Sequence, residues 1–176
     1  VSSDGLTWTF NLRKDVKFHD GTPLNAEAVV FSLERQRDKD HPYHCTNCRR
    51  WGAKFGMVKK TEAVDEHTVN IVLNDPAPAL LVNLAFYIGY IISPTAYMKD
   101  PENFRNNPVG TGPFKFVQWQ RDNFLEYEVN KDYYQGAPKI DKLVVRVIPN
   151  NDVRLLALKK QFLPLSHLDF HPTYLQ

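Results

Sequence analysis

The fold is decided near the start of the chain, by residues 2–35, SSDGLTWTFNLRKDVKFHDGTPLNAEAVVFSLER. From residue 6 to residue 12 apolar side chains alternate with polar ones, which is the two-residue period of a strand that buries one face. Val16 and Phe18 repeat this period and predict a second strand. The segment is therefore expected to begin with two short strands.

The rest of the same segment predicts a turn and then a helix. Asp20 and Gly21 form a turn pair, because glycine adopts a positive φ without steric cost. Asn25 is a good N-cap residue, and the apolar residues between 28 and 33 recur on neighbouring turns of a helix. Strands followed by a tight turn and a capped helix are typical of the edge of an α/β domain.

Composition places the chain among ordinary globular proteins. It has 176 residues, of which 43% are hydrophobic and 24% charged, so it suits one domain or slightly more. A net charge of +2 without any lysine- and arginine-rich run gives no support for nucleic-acid binding. The longest apolar stretch, 77–93, is too short and too interrupted to cross a bilayer. No signal-peptide pattern follows Val1, so we expect that processing or fragmentation has removed the true start.

The remaining chain predicts further strands and helices. Residues 62–73 predict a β-hairpin with Val69, Ile71 and Leu73 on its buried face. The other predicted elements are a short buried helix at 78–86, a short strand at 90–92, strands near 114–119, 124–129 and 140–147, and a helix over 153–160 capped by Asp152.

Two glycine-containing motifs separate the later strands. Residues 109–114 read VGTGPF, and residues 130–136 read NKDYYQG. A phosphate-binding glycine loop is the alternative for the first motif, but a strand follows it and no Lys-Ser/Thr pair is present. Both motifs are therefore interpreted as structural turns.

The order of these segments closely resembles the family 5 extracytoplasmic solute-binding proteins, which deliver peptides, nickel or haem to ABC importers. The resemblance extends over residues 3–160 and includes the GTGPF turn, the N-x-x-Y-[WY]-x-G turn, the IDxLVxxxIP strand and the helix that starts near VRLLAL. It is greatest for dipeptide-binding members. It implies a periplasmic or extracytoplasmic substrate-binding component, with a small peptide as ligand and an ABC permease of the inner membrane as partner. No catalytic constellation stands out, so we expect a monomeric binding protein without a cofactor and not an enzyme.

The resemblance also implies a fold and a domain plan. The fold is expected to be mixed α/β (α+β), within the type II class of periplasmic binding proteins. Residues 1–138 would form most of a small extra domain with antiparallel strands and flanking helices, and residues 139–160 would begin the return into lobe I. Residues 161–176 depart from the family pattern and are expected to form an atypical, disordered tail. Family members are considerably longer, and the second lobe has no counterpart here.

The loop at 41–60 is predicted to contact the ligand. By resemblance to the nickel-binding branch, Trp51 and Tyr90 occupy positions that face the cleft. Arg50, or its neighbour Arg49, is placed to pair with a carboxylate through a bidentate fork, and Phe55 adds aromatic surface. The alternative is that Trp51 and Phe55 pack beneath the loop while the arginine is solvated.

The same loop suggests a metal site. His41, His44, Cys45 and Cys48 supply the nitrogen and sulfur ligands that Zn²⁺ prefers. Their spacing is compact and lacks the second half of a standard zinc module, so a disulfide or two free thiols are the alternatives. Two rival functions follow: a haem- or metal-binding protein on the same scaffold, and a truncated product with only structural or interaction properties.

Overall fold

The computed structural model describes residues 1–45, 55–86 and 89–159. The chain divides into two compact units, Val1–Phe104 with Val109–Thr111, and Arg105–Pro108 with Gly112–Gln176. This division lies inside the segment 1–138 that the family resemblance assigns to one small domain. The family domain plan, with its boundaries at 138 and 160, remains a prediction.

In its described residues, the first unit contains a three-stranded antiparallel sheet and the helices given below. In chain order these elements are β1 (Thr7–Asn11), α1 (Ala26–Arg37), β2 (Val58–Asp65), β3 (Thr68–Leu73), α2 (Leu80–Leu84) and α3 (Pro94–Lys99). The strand order is β1-β3-β2, so β3 lies at the centre. A short 3-10 helix follows at Phe104–Asn106.

The core of the first unit lies between β3 and α1. Val69, Ile71 and Leu73 are at most 2% exposed, as the two-residue period predicts for the inner face of a central strand. Val29 and Leu33 of α1 belong to the same cluster. Among the described residues, the buried members of this cluster are Ala26, Val29, Leu33, Phe55, Val58, Val69, Ile71, Leu73 and Leu80.

The predicted start of α1 is confirmed. Asn25 is extended, and its Oδ1 accepts a hydrogen bond from the Ala28 backbone N–H at 3.0 Å. Gly21 has the predicted positive φ, at 85°. Further along α1, Glu34 accepts a hydrogen bond from the backbone N–H of Thr61 at 2.6 Å, which attaches the helix to β2.

Two predicted strands are wrong. Val16 and Phe18 are buried, but only a single bridge between Lys17 and Pro23 forms there, because the turn reverses the chain at once. Residues 90–92 form no strand either. The Ser93-Pro94 pair begins α3 instead, and the Ser93 hydroxyl accepts a hydrogen bond from the Ala96 N–H at 3.1 Å.

The predicted helix at 78–86 is shorter and more exposed than expected. It forms at Leu80–Leu84, and Leu80 alone of its residues is buried. Val82 is 65% exposed, and Leu81 and Phe86 are exposed as well. The apolar run is compatible with a buried helix and with an exposed one, because the hydrophobic period over so short a stretch does not distinguish the two.

The second unit is a three-stranded antiparallel sheet followed by a helix. Its elements are β4 (Phe114–Gln120), β5 (Phe124–Val129), β6 (Lys142–Arg146) and α4 (Asn151–Lys159), with strand order β4-β5-β6. Asn150 rather than Asp152 caps α4, because its Oδ1 accepts hydrogen bonds from the N–H groups of Asp152 and Val153. The mixed α/β class is thus confirmed. No helix in the described ranges is both long and apolar enough to cross a membrane.

Asn130 joins the two glycine-containing motifs. Its side chain is 3% exposed, and its Nδ2 donates to the Gly112 carbonyl oxygen at 3.0 Å. Its backbone N–H donates to the Pro113 carbonyl oxygen at 2.9 Å. Gly136 closes the second motif with a φ of 93°. Both motifs are structural turns, and one buried amide holds them together.

Asn130→Ala removes the hydrogen bond from the side-chain Nδ2 to the Gly112 carbonyl oxygen but keeps the backbone bond to Pro113. We expect the unfolding free energy to fall by about 1–3 kcal/mol, the cost of a buried group that loses its hydrogen bond. Urea denaturation followed by circular dichroism measures the change.

The matched control is Asn123→Ala, since the exposed Asn123 side chain bonds to the Gln120 side chain and to no other group in the ranges that the structure describes. This variant is expected to stay within about 0.5 kcal/mol of the parent. Equal losses in the two variants would contradict the role assigned to Asn130.

Candidate ligand-binding site

Of the predicted ligand contacts that lie in the described residues, Tyr90 is exposed to solvent. Its side chain is 66% exposed, although tyrosine usually buries much of its ring. It lies six residues after the end of α2 and four before the start of α3. An exposed aromatic ring offers a large and rigid contact surface to a ligand.

The backbone that follows Tyr90 is tied to α1. The Ile92 N–H donates to the Ser32 hydroxyl oxygen at 3.0 Å, and that hydroxyl donates to the Ala28 carbonyl oxygen at 2.7 Å. The next N–H, that of Ser93, donates to the Val109 carbonyl oxygen at 3.1 Å. Ser32 and Ser93 are both buried, so these bonds are shielded from water.

The turn before Tyr90 requires a glycine. A Cβ atom built on Gly89 would lie 2.2 Å from the Leu84 carbonyl oxygen, a distance that real Cβ atoms do not show. The Gly89 N–H also donates to the Phe86 carbonyl oxygen at 2.8 Å. The chain therefore passes against the end of α2 and is fixed again at Ile92, with Tyr90 between.

Phe55 occupies a different environment. Its side chain is 0% exposed and belongs to the core cluster between β3 and α1. A ligand contact by Phe55 stays a prediction from the sequence, since in this arrangement the side chain presents no surface to solvent. Its burial supports the alternative interpretation, in which Phe55 packs beneath the loop.

Two other predicted contacts, Arg50 and Trp51, lie outside the described residues. Their role remains a prediction from the sequence. The same is true of the predicted tail at 161–176.

The metal hypothesis loses one of its ligands. Cys45 is disulfide-bonded and so has no thiolate to offer a metal, while Cys48 lies outside the described residues. The His41 Nδ1 accepts a hydrogen bond from the Tyr43 N–H at 3.1 Å. Within the described ranges, no three His, Cys, Asp or Glu side chains are grouped as metal ligands would be.

The first part of the loop instead enters a cluster of rings that the sequence did not reveal. His41 and Tyr43 contact Phe31 of α1, with ring centroids 5.5 and 5.8 Å apart. Tyr97 of α3 contacts both Phe31 and Tyr43. Burial lowers the pKa of His41, so this ring is predominantly neutral at pH 7. We call these four residues the aromatic cluster.

Arg35 covers one side of this cluster. Its Cζ lies 4.4 Å from the ring centroid of Tyr97, which is a cation–π contact. Phe31 and Arg35 are four residues apart and so share one face of α1, which is a signal that the sequence contains. Tyr97 is too distant along the chain for any spacing rule to connect it with them.

Hollows lined by described residues lie elsewhere, and two of them are shallow. One, of about 380 Å³, lies in the first unit beside the starts of α1 and α3, and its lining includes Asn25, Phe31 and Met98. The other, of about 330 Å³, lies in the second unit against β4, and its lining includes Trp119 and Arg121. Neither hollow contains Tyr90.

Comparison with known proteins explains the order of these elements. The family model of the bacterial extracellular solute-binding proteins, family 5 Middle, matches residues 1–163. The chain belongs to this family. Membership places it with periplasmic or extracytoplasmic solute-binding proteins and not with enzymes.

Several family 5 relatives are named for peptide ligands. The chain is 38% identical over 176 residues to the dipeptide-binding protein of Escherichia coli, covering 91% of this chain and 33% of that protein. It is 39% identical over 160 residues to the glutathione-binding protein GsiB of Pectobacterium atrosepticum, covering 90% and 30%. Heme-binding protein A of Haemophilus influenzae is 35% identical, with 90% and 32% covered. The chain thus spans about a third of these relatives' length.

Solved structures of the family show the same fold. The periplasmic binding protein DppA of Helicobacter pylori, in complex with the peptide STSA, superposes with a TM-score of 0.84 at 35% identity. HbpA2 of Haemophilus parasuis gives 0.85, also at 35% identity. The match covers 93% and 92% of this chain, and 35% of each of those chains. The predicted type II periplasmic-binding-protein fold is confirmed.

Gly89→Ala tests the turn that precedes Tyr90. The added methyl group forces the backbone away from Leu84, so we expect a loss of about 1–3 kcal/mol in the unfolding free energy. Gly110→Ala is the control, because a Cβ there meets nothing within 4 Å. Urea denaturation of both variants provides the comparison, and an equally stable Gly89→Ala variant would contradict the close approach.

Proposed function

We propose that this chain forms one wall of the ligand site in the substrate-binding component of an ABC importer for dipeptides or oligopeptides. Tyr90 is the proposed ligand contact from the described residues, and Arg50 and Trp51 are proposed from the sequence. Relatives named for dipeptides, di/tripeptides and glutathione support the peptide class. The structural neighbour in complex with a peptide supports it as well.

The observation that carries the proposal is the exposed Tyr90 ring on a backbone fixed through Ser32. Binding usually costs conformational entropy, because side chains and loops must be ordered at the interface. A ring with only two side-chain torsions, on an anchored backbone, reduces that cost. Such a surface suits the varied side chains of short peptides, since aromatic faces accept apolar and polar groups alike.

The proposed mechanism is closure of two lobes over the peptide. The ligand stabilises the closed state to the extent that it binds that state more tightly than the open one. This chain supplies contacts on one side only, and the permease partner recognises the closed form. A haem- or metal-binding function is the rival, but the disulfide at Cys45 removes one of its candidate ligands.

Tyr90→Ala tests the proposed contact between Tyr90 and the ligand in the full-length protein that contains this chain. We expect the Kd for a dipeptide to rise about tenfold, which corresponds to about 1.4 kcal/mol. Tyr90→Phe retains the ring and is expected to bind nearly as well as the parent. Isothermal titration calorimetry measures the affinity, and thermal unfolding verifies the fold.

Trp119→Ala is the matched control, because it removes an exposed aromatic side chain from the other unit. Unchanged affinity in Tyr90→Ala would contradict the assigned contact. Binding of haem or nickel without any binding of dipeptide, tripeptide or glutathione would contradict the peptide class. Failure of the intact gene product to bind any of these would favour the structural alternative.

A further inference from the structure

Arg35 is a partly buried cation with two donors that lack acceptors. Its Nε and Nη1 atoms are shielded from solvent and have no hydrogen-bond partner in the described part of the chain. Burial lowers the pKa of its guanidinium, because a desolvated charge is unfavourable. A buried guanidinium needs an interaction that replaces water. The Tyr97 ring, 4.4 Å from Cζ, supplies it.

No carboxylate in the described ranges pairs with Arg35. The adjacent Glu34 is already engaged, since one of its oxygens accepts the Thr61 N–H and the other pairs with Arg37. The group that balances the Arg35 charge is therefore the face of the Tyr97 ring, which has a negative electrostatic potential. Only a planar guanidinium can lie flat on such a ring, so a lysine is not equivalent at this position.

This stack lies beside the chain that leaves α1. The Cys45 N–H donates to the Arg35 carbonyl oxygen at 2.8 Å, so residue 45 returns to the helix. Tyr43, two residues before Cys45, contacts Tyr97, with the ring centroids 6.0 Å apart. Through His41 and Tyr43, the segment 38–45 is thus part of the aromatic cluster that Arg35 covers.

We propose that Arg35 is a positioning residue: its stack on Tyr97 holds residues 38–45 in place and thereby sets the affinity of the binding protein for its peptide. The inference rests on the proposed function, because residues 41–45 begin the loop that is predicted to contact the ligand. Arg35 itself touches no ligand. It acts through the rings of Tyr97 and Tyr43.

The test compares four variants in the full gene product. Arg35→Met keeps the length of the side chain but removes its charge, and Arg35→Lys keeps the charge but not the planar group. Tyr97→Leu removes the ring, and Tyr97→Phe retains it. We expect Arg35→Met and Tyr97→Leu to raise the Kd for a dipeptide about tenfold. Arg35→Lys is expected to raise the Kd nearly as much, whereas Tyr97→Phe is expected to bind like the parent.

A matched control separates positioning from loss of stability. Leu73→Ala opens a cavity in the core of the same unit and lowers the melting temperature, but it leaves the Arg35–Tyr97 stack intact. Calorimetry well below the melting temperatures gives the affinity and the stoichiometry. A higher Kd at full stoichiometry in Arg35→Met, with the Kd of Leu73→Ala unchanged, supports the proposal. Equal changes in these two variants, or no change in Arg35→Met, overturn it.

A second readout needs no ligand. Burial is the main reason for the lowered pKa of His41; Arg35 and His44 lower it further, whereas Asp38 and Glu34 raise it. Loss of the Arg35 charge is therefore expected to raise the pKa of His41, as measured by NMR titration of its imidazole.

This readout keeps the two proposals distinguishable. If the intact protein binds no peptide, the proposed function fails, and the His41 titration still reports whether Arg35 organises the cluster. A raised His41 pKa in Arg35→Lys, which keeps the charge, with none in Leu73→Ala, supports the positioning of residues 38–45, whereas a rise confined to Arg35→Met reports only the lost charge and contradicts it. An unchanged His41 pKa in Arg35→Met overturns it.

Discussion

The packing of helix α1 against the sheet, at strands β2 and β3, is the constraint on which the first unit depends. Val29 and Leu33 lie in the same buried cluster as Val69 and Ile71, and each such side chain contributes roughly 1.5–3 kcal/mol when it leaves water. Once this face of α1 is turned toward the sheet, the directions of its other residues follow from helical geometry. The remaining faces of the helix therefore become attachment points for other segments.

Two of these attachments bear on function. The Ser32 hydroxyl holds the backbone at Ile92 and so fixes the segment from which Tyr90 projects. Phe31, which precedes Ser32, belongs to the aromatic cluster, and Arg35, one helical turn further on, covers that cluster beside the chain that leaves the helix. A single helix thus supports both regions that are proposed to approach the ligand. Contacts held by a packed helix are pre-organised, which lowers the entropic cost of binding.

The two units are organised by different interactions. Among the described residues, every apolar side chain that is buried belongs to the first unit. In the second unit the sheet is only half-buried, and α4 exposes apolar side chains such as Leu155 and Leu156. There a polar residue has the central role, because Asn130 satisfies backbone groups at both glycine-containing turns. Hydrogen bonds within turns thus define local geometry where little apolar burial is available.

The sequence by itself determined the family, the mixed α/β class and the elements with local signals. The alternation in β3, the Asn25 cap and the glycine at position 21 are decided by residues near each other in the chain, and all three were predicted. Only the tertiary structure decided that residues 90–92 form no strand, since a hydroxyl from α1 takes the Ile92 N–H. Only the tertiary structure showed that Phe55 is core and that Arg35 meets Tyr97. These partners are remote in sequence. The residues next to an apolar or charged side chain in the chain do not specify which distant side chain it will contact.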